Sequence, residues 1–214
     1  MTPNIFNYNF KNITVSGLPG SGSTTLLDML REDLKMDGWR GFSGGEFMRA
    51  YAAEKGLFDG SKKTHHDASH YEDDFDRKVD YGMREKLENH QHWILESWLS
   101  GFLAQQVPGV LKVLMICSDD AVRIDRIVNR DQISIEEAKE HLHGRYQTNL
   151  KTWSKLYAQE WQEWVVKPGT RSAQEPIDFW HPDLYDLVID TYSSTKKDTR
   201  RLVFDALKKT KTSS

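Results

Sequence analysis

The stretch ITVSGLPGSGSTTLLDML, residues 13–30, constrains this chain more than any other. A short apolar run, ITVSG, enters a segment with glycines at 17, 20 and 22, and the amphipathic TTLLDMLREDL leaves it. A strand that turns into a helix through glycines is the layout of an anion-binding loop. Glycines let the backbone curl until successive N–H groups point inward, and the helix that follows adds its N-terminal dipole. From Gly17 to Thr24 the spacing fits G-x-x-x-x-G-K-[ST], except that the lysine position holds Ser23. Gly17, Gly20, Ser21, Gly22, Ser23, Thr24 and Thr25 are therefore the candidates for cradling the phosphates of ATP, with Thr24 the expected Mg²⁺ ligand through its hydroxyl. A serine at 23 donates one hydrogen bond but brings no positive charge. The cation that balances the β- and γ-phosphates must come from elsewhere or be missing.

Apolar runs then alternate with helical patterns, the order expected of a parallel sheet with helices on both faces. NITVSG (12–17) reads as a first strand, WRGFSGG (39–45) as a weak second, HWILES (92–97) and VLKVLMICS (110–118) as central strands, and DLVIDT (186–191) as the last. Helices are expected over 24–38, stopped at Gly38, over 46–56 and over 198–209, and the segment 119–164 is almost entirely helix-forming. SIEE (134–137) marks a helix start within it. Residues 57–74 and 166–176 are polar, or rich in Pro, Gly and Ser, and read as surface loops, while KKTKTSS at the end reads as a solvated tail.

Length and charge narrow the functional classes. A chain of 214 residues with 38% hydrophobic content can bury one sizeable core, so a single domain is expected. A formal charge of −3 provides no global basic field, so neither nucleic acid nor an anionic membrane surface is favoured as a partner. The single cysteine, Cys117, excludes an internal disulfide framework and reads as core packing. No window approaches the ~18 apolar residues of a membrane helix, and no targeting pattern opens the chain, so a cytoplasmic protein is expected.

Three groups of side chains carry possible chemistry. Arg123, Arg126 and Arg130 share one helix face at i, i+3 and i+7 spacing, where they can sit together over phosphates. Glu96 ends the apolar strand WILE, at the sheet edge where open α/β folds bind ligands, and is placed to hold a metal-bound water. His66 and His70 are spaced i, i+4, but with no acidic or cysteine partner at a matching spacing a metal site is not expected there. The tryptophans at 153, 161, 164 and 180 argue that the segment around 158–182 packs onto the body or onto a partner.

The ordered succession of motifs resembles the cytidylate kinases, especially their archaeal-type branch, in the nucleoside monophosphate kinase group of P-loop proteins. SGGEFMRAYAAEKGL (43–57) is similar to the family's SAGEIFRxxAxExGL, DRKVD (76–80) to DREID, and ILESWLSGFLA (94–104) to VLEGRLAGWMA. RIDRIVNRDQISIEEAKEHLHGR (123–145) is similar to its lid-forming RAERIAEREGISVEEALxxxxxR, and YDLVIDT (185–191) to its closing strand. GSGSTT (20–25) is close to the GSGTTT of that branch, where threonine replaces the loop lysine. The resemblance implies a three-layer α/β/α P-loop fold with about five parallel strands, a monophosphate-binding helical part near 43–90 and a lid near 123–157. It implies transfer of the ATP γ-phosphoryl group to CMP or dCMP with Mg²⁺, by a monomer or weak homodimer.

By the same resemblance Ser43 and Gly45 turn the chain, Arg49 holds the acceptor phosphate, Asp76 and Asp80 with Arg77 read base and ribose, and Arg126, Arg130 and Arg145 are the catalytic cations. The chain also departs from the family. Trp98 stands where an arginine is usual, only Lys151 and Lys155 follow Arg145, and the insertion over 158–182 is long. Two other readings follow from the lost positive charge: a nucleotide-binding protein with weakened transfer, and a kinase of some other small molecule.

Overall fold

The structure, a computed structural model, describes residues 8–47, 50 and 73–208, without the side chains of 73–76. Five strands make one parallel sheet in the order β2-β3-β1-β4-β5. They are β1 Asn12–Gly17, β2 Arg40–Ser43, β3 Trp93–Glu96, β4 Val110–Ile116 and β5 Leu187–Asp190, each inside its apolar run. β1 lies at the centre with every residue buried, paired Ile13 to Ile94 on one side and Gly17 to Met115 on the other. A strand covered on both faces must read as a continuous apolar run. Two of its polar exceptions are bonded: Asn12 Nδ2 donates to the carbonyls of Leu87 (3.0 Å) and His90 (2.9 Å), and Ser16 Oγ accepts the Gly101 N–H at 2.8 Å.

β2 stops short of the expected residue 45 because Ser43 starts a helical segment. Its N–H donates to the Glu46 carboxylate at 2.8 Å, and its hydroxyl accepts the Glu46 N–H at 3.3 Å. The described helices are α1 Ser23–Leu34, α2 Asp73–Asn89, α3 Ser100–Leu103, α4 Asp120–Asp131, α5 Ile135–Lys139, α6 Arg145–Leu156, α7 Ala158–Trp161 and α8 Lys196–Lys208. α1 ends one turn before Gly38, in a tight 3₁₀ turn over Lys35–Asp37 that Gly38 closes at φ 81°. The expected helix over 46–56 is helical at 46, 47 and 50, the loop expected over 57–74 gives way to α2 at Asp73, and the rest of both segments and the tail beyond 208 lie outside the described residues.

Helices cover both faces of the sheet. Leu26, Leu27 and Leu30 of α1 meet Val203 and Leu207 of α8 over Ile13, Val15 and Val113. On the other face Met83 and Leu87 of α2 and Phe102 of α3 pack with Tyr157, Trp161 and Phe179. The segment 158–182 thus supplies part of the second core. Its loop signals at 166–176 hold locally, but Trp161 and Phe179 are essentially without exposure. Polar bonds lock it to α2. The buried Glu160 accepts from Arg77 and from the Tyr81 hydroxyl (2.5 Å), and the Arg84 guanidinium lies 4.0 Å from the Trp164 ring centroid.

α4 and α5 enclose a small separate core of Ile127, Ala138 and Leu142. Ser134 begins α5 with a reciprocal cap: its hydroxyl accepts the Glu137 N–H at 3.2 Å, and Glu137 Oε2 accepts the Ser134 N–H at 2.9 Å. Those bonds hold the Glu137 carboxyl below the usual range. Ser134→Ala is expected to cost about 1 kcal/mol of stability. Thermal unfolding of the two proteins measures it, and an unchanged Tm would mean the cap is idle.

Candidate functional site

The glycine loop joins β1 to α1, and its shape depends on α4. Gly20 and Gly22 adopt φ 78° and 90°, a region that L side chains rarely enter. A Cβ on Gly20 would also lie 2.8 Å from the Arg123 carbonyl, so α4 rests directly on the loop. The outward carbonyls of the loop meet cations there. Arg123 donates to the Pro19 carbonyl through Nε and Nη2 (both 3.2 Å), and Arg126 donates to the Gly20 carbonyl through Nη1 (3.0 Å). Because C=O and N–H of a trans peptide point opposite ways, holding the Pro19 carbonyl against α4 aims the Gly20 N–H away from that helix.

Thr191, just past β5, completes the brace. Its hydroxyl accepts from Arg126 Nη1 at 2.7 Å and donates to the Ser21 carbonyl at 3.0 Å, while its own carbonyl accepts Arg126 Nη2 at 3.1 Å. The helix-face spacing of Arg123, Arg126 and Arg130 suggested three arginines presented together. The structure separates them: two grip the loop backbone, and Arg130 forms a bidentate pair with Asp131 (2.7 and 2.8 Å).

A cavity of about 600 Å³ opens beside the loop. Gly17, Gly20, Gly22, Ser23, Thr24 and Thr25 line it, together with Glu96, Trp98, Arg126, Arg130, Arg145 and Thr191. Ser21 sits just behind, buried. Thr24 is exposed to the cavity, whereas Ser23 is turned inward and donates to Glu96 Oε1 at 2.7 Å. Glu96 is buried, and desolvation pushes its carboxyl above the usual range against the pull of the Ser23 hydroxyl and of Arg130 and Arg31. Arg145 stands with its guanidinium carbon 5.2 Å from the Trp98 ring centroid, a cation–π contact at the cavity wall.

The residues implied to read the acceptor sit elsewhere or beyond view. Ser43 caps the segment after β2, and Gly45 follows in it; neither lines the cavity. Asp80 accepts from the Tyr157 hydroxyl, and Arg77 is engaged with Glu160 and the Leu156 carbonyl (3.3 Å). Arg49, His66, His70 and the side chain of Asp76 lie outside the described residues. Two contributors escaped the sequence reading. Thr191 was visible only as the end of a closing strand, and its position at the carboxyl edge of the sheet was the available signal. Trp180 was counted as packing, yet its Nε1 donates to the Trp98 carbonyl at 2.9 Å.

This geometry, a strand, a glycine loop with positive-φ turns and a helix beneath a set of arginines, has counterparts among known proteins. The family model described as AAA domain matches residues 13–146. The chain is 32% identical over 182 residues to the cytidylate kinase of Methanosarcina barkeri, covering 84% of this chain and 86% of that one. It is 30% identical over 201 residues to that of Methanosarcina acetivorans, covering 91% and 97%. In fold it is similar to the crystal structure of an uncharacterized protein from Eubacterium ventriosum, with a TM-score of 0.61 at 10% identity over 92% of this chain and 98% of that one. At this identity and coverage, the chain belongs to the cytidylate kinase family, in the nucleoside monophosphate kinase group of P-loop proteins.

Proposed function

We propose that the protein is a nucleoside monophosphate kinase that transfers the γ-phosphoryl group of ATP, with Mg²⁺, to CMP or dCMP. The observation that carries this reading is the single cavity onto which the glycine loop, Glu96 and the cations Arg126, Arg130 and Arg145 all open. The residues present fit the donor. The loop is a backbone cradle in which side chains at 17 and 20 have no room. The exposed Thr24 hydroxyl and the Glu96 carboxylate are oxygen donors of the kind a hard, water-retaining cation prefers.

Phosphoryl transfer demands in-line positioning and positive charge more than covalent chemistry from the protein. Arg126 supplies both, as brace of the loop and as a cation on the cavity wall. Arg130 and Arg145 supply charge from α4 and from the start of α6, and Glu96 would hold water bound to a Mg²⁺ ion, which would supply further positive charge to the phosphates. Arg49 grips the acceptor phosphate, and Ser43 and Gly45 set the turn that leads to it. A coupled ADP-release assay across all nucleoside monophosphates tests the proposal, and the fastest turnover is expected with CMP or dCMP. Equal rates with and without every monophosphate, at micromolar enzyme, would refute it.

One observation favours a second reading, a nucleotide-binding protein that has lost transfer: three donor contacts of Arg126 already go to Gly20 and Thr191. Thermal shift separates the two. Stabilisation by ATP alone favours the binder, and stabilisation by a monophosphate as well favours the kinase.

A further inference from the structure

The sheet order gives the cavity two ends. Ser194, Lys196 and Thr199 follow β5, on one side of the loop after β1, while Glu96 ends β3 and Trp98 follows it, on the other. The second end has an unusual wall. The Trp98 indole meets Trp153 edge-on (centroids 5.6 Å apart, planes at 84°) and Trp180 at 6.2 Å and 73°. The Trp180 indole N–H fixes the Trp98 backbone, and Tyr146 lies 5.3 Å from the Trp180 ring. Trp98 cannot swing without dismantling this cluster. Both of its aromatic supports lie beyond residue 146, where the family-model match ends, and Trp180 belongs to the long 158–182 segment.

We propose that Trp98, held in place by Trp180, is the specificity wall of the acceptor end. It takes the flat face of the acceptor's nucleobase, while Arg145, poised over the same ring, pairs with an anionic oxygen of that acceptor. The physical reason is that Arg145 holds the ring as a cation–π contact, and once drawn to the acceptor's anion it leaves a half-buried, immobilised indole as a stacking platform with positive charge beside it. Aromatic stacking on a base is tolerant of sequence but demands a planar ring, so the wall selects nucleotides over compact polar acceptors. The 158–182 segment thereby acts on the site through Trp180, a positioning residue that does not itself line the cavity. This inference rests on the kinase reading above.

The test is steady-state kinetics at saturating ATP with CMP as the varied probe. Trp98→Ala is expected to raise the acceptor KM at least about tenfold, within the range that loss of one base stack produces, and to leave the ATP KM within about twofold; Trp98→Phe should restore most of the loss. Trp180→Phe keeps an aromatic ring but removes the N–H donor, and should raise the acceptor KM about threefold or more with kcat little changed. Wild-type acceptor KM in all three folded variants overturns the proposal, as does a fall in kcat alone, which would make the cluster structural support only. If the wild type turns over no monophosphate, the kinase reading fails by itself. Calorimetric titration with CMP then decides the wall: weaker binding to Trp98→Ala and Trp180→Phe supports it, and equal or absent binding throughout overturns it.

Discussion

Arg126→Ala is expected to lower kcat by at least about 10²-fold, roughly 2.7 kcal/mol of transition-state stabilisation. The residue acts twice. Its guanidinium neutralises the Gly20 carbonyl and ties the loop to Thr191, so truncation loosens the cradle while it also removes a cation from the cavity wall. The ATP KM should therefore rise together with the loss in kcat. Arg130→Ala separates the two effects. Among the described residues Arg130 hydrogen-bonds its neighbour Asp131 and not the loop, so its loss should fall on kcat to a similar extent while the ATP KM moves less. Ser23→Ala should change kcat less than about tenfold, because the Ser23 hydroxyl faces Glu96 and not the cavity centre. Pre-steady-state and steady-state kinetics of these three variants and of Ser23→Lys settle the matter. Near-wild-type rates for both arginine variants, together with a rise of orders of magnitude for Ser23→Lys, would show that the lid does not replace the loop lysine.

That division of labour among the arginines was not legible in the sequence. Spacing of i, i+3 and i+7 places Arg123, Arg126 and Arg130 on one helix face, but it says nothing of what the face meets. The partners, the carbonyls of Pro19 and Gly20, lie more than a hundred residues away. The sheet was legible because strands buried on both faces must be continuously apolar, and each apolar run became a strand. The start of α5 was legible for a local reason as well, since Ser134 and Glu137 bond each other. Long-range polar pairing was not. Asp80 and Arg77 look like exposed helix charges until Tyr157 and Glu160 arrive to meet them, and no pattern within either segment announces the other. The 158–182 segment gave a mixed signal for a physical reason: its Pro, Gly and Ser set a loop, while Trp161 and Phe179 bury themselves in the body regardless.

Glu96→Gln is expected to do opposite things to activity and to stability. Glu96 is only 8% exposed, and burial raises its pKa more than the Ser23 hydroxyl and the nearby arginines lower it. A carboxyl whose folded pKa lies above the unfolded value of about 4.3 favours the folded state when it is protonated. That contribution is complete below the unfolded pKa and is lost as pH rises through the folded one, so at neutral pH the ionised group is a net cost. Glutamine keeps an oxygen for Ser23 without the charge. Its Tm at pH 7 to 8 should accordingly exceed that of the wild type, and the difference should shrink as pH falls toward 4. Turnover should drop about 10²-fold or more, because the neutral amide cannot anchor the water shell of Mg²⁺ beside the loop. A stable protein retained in its folded form yet catalytically crippled would identify Glu96 as a group kept ionised at the expense of stability. Wild-type turnover by Glu96→Gln, or a Tm gain that grows instead of shrinking as pH falls, would assign the carboxylate to packing and remove it from the site.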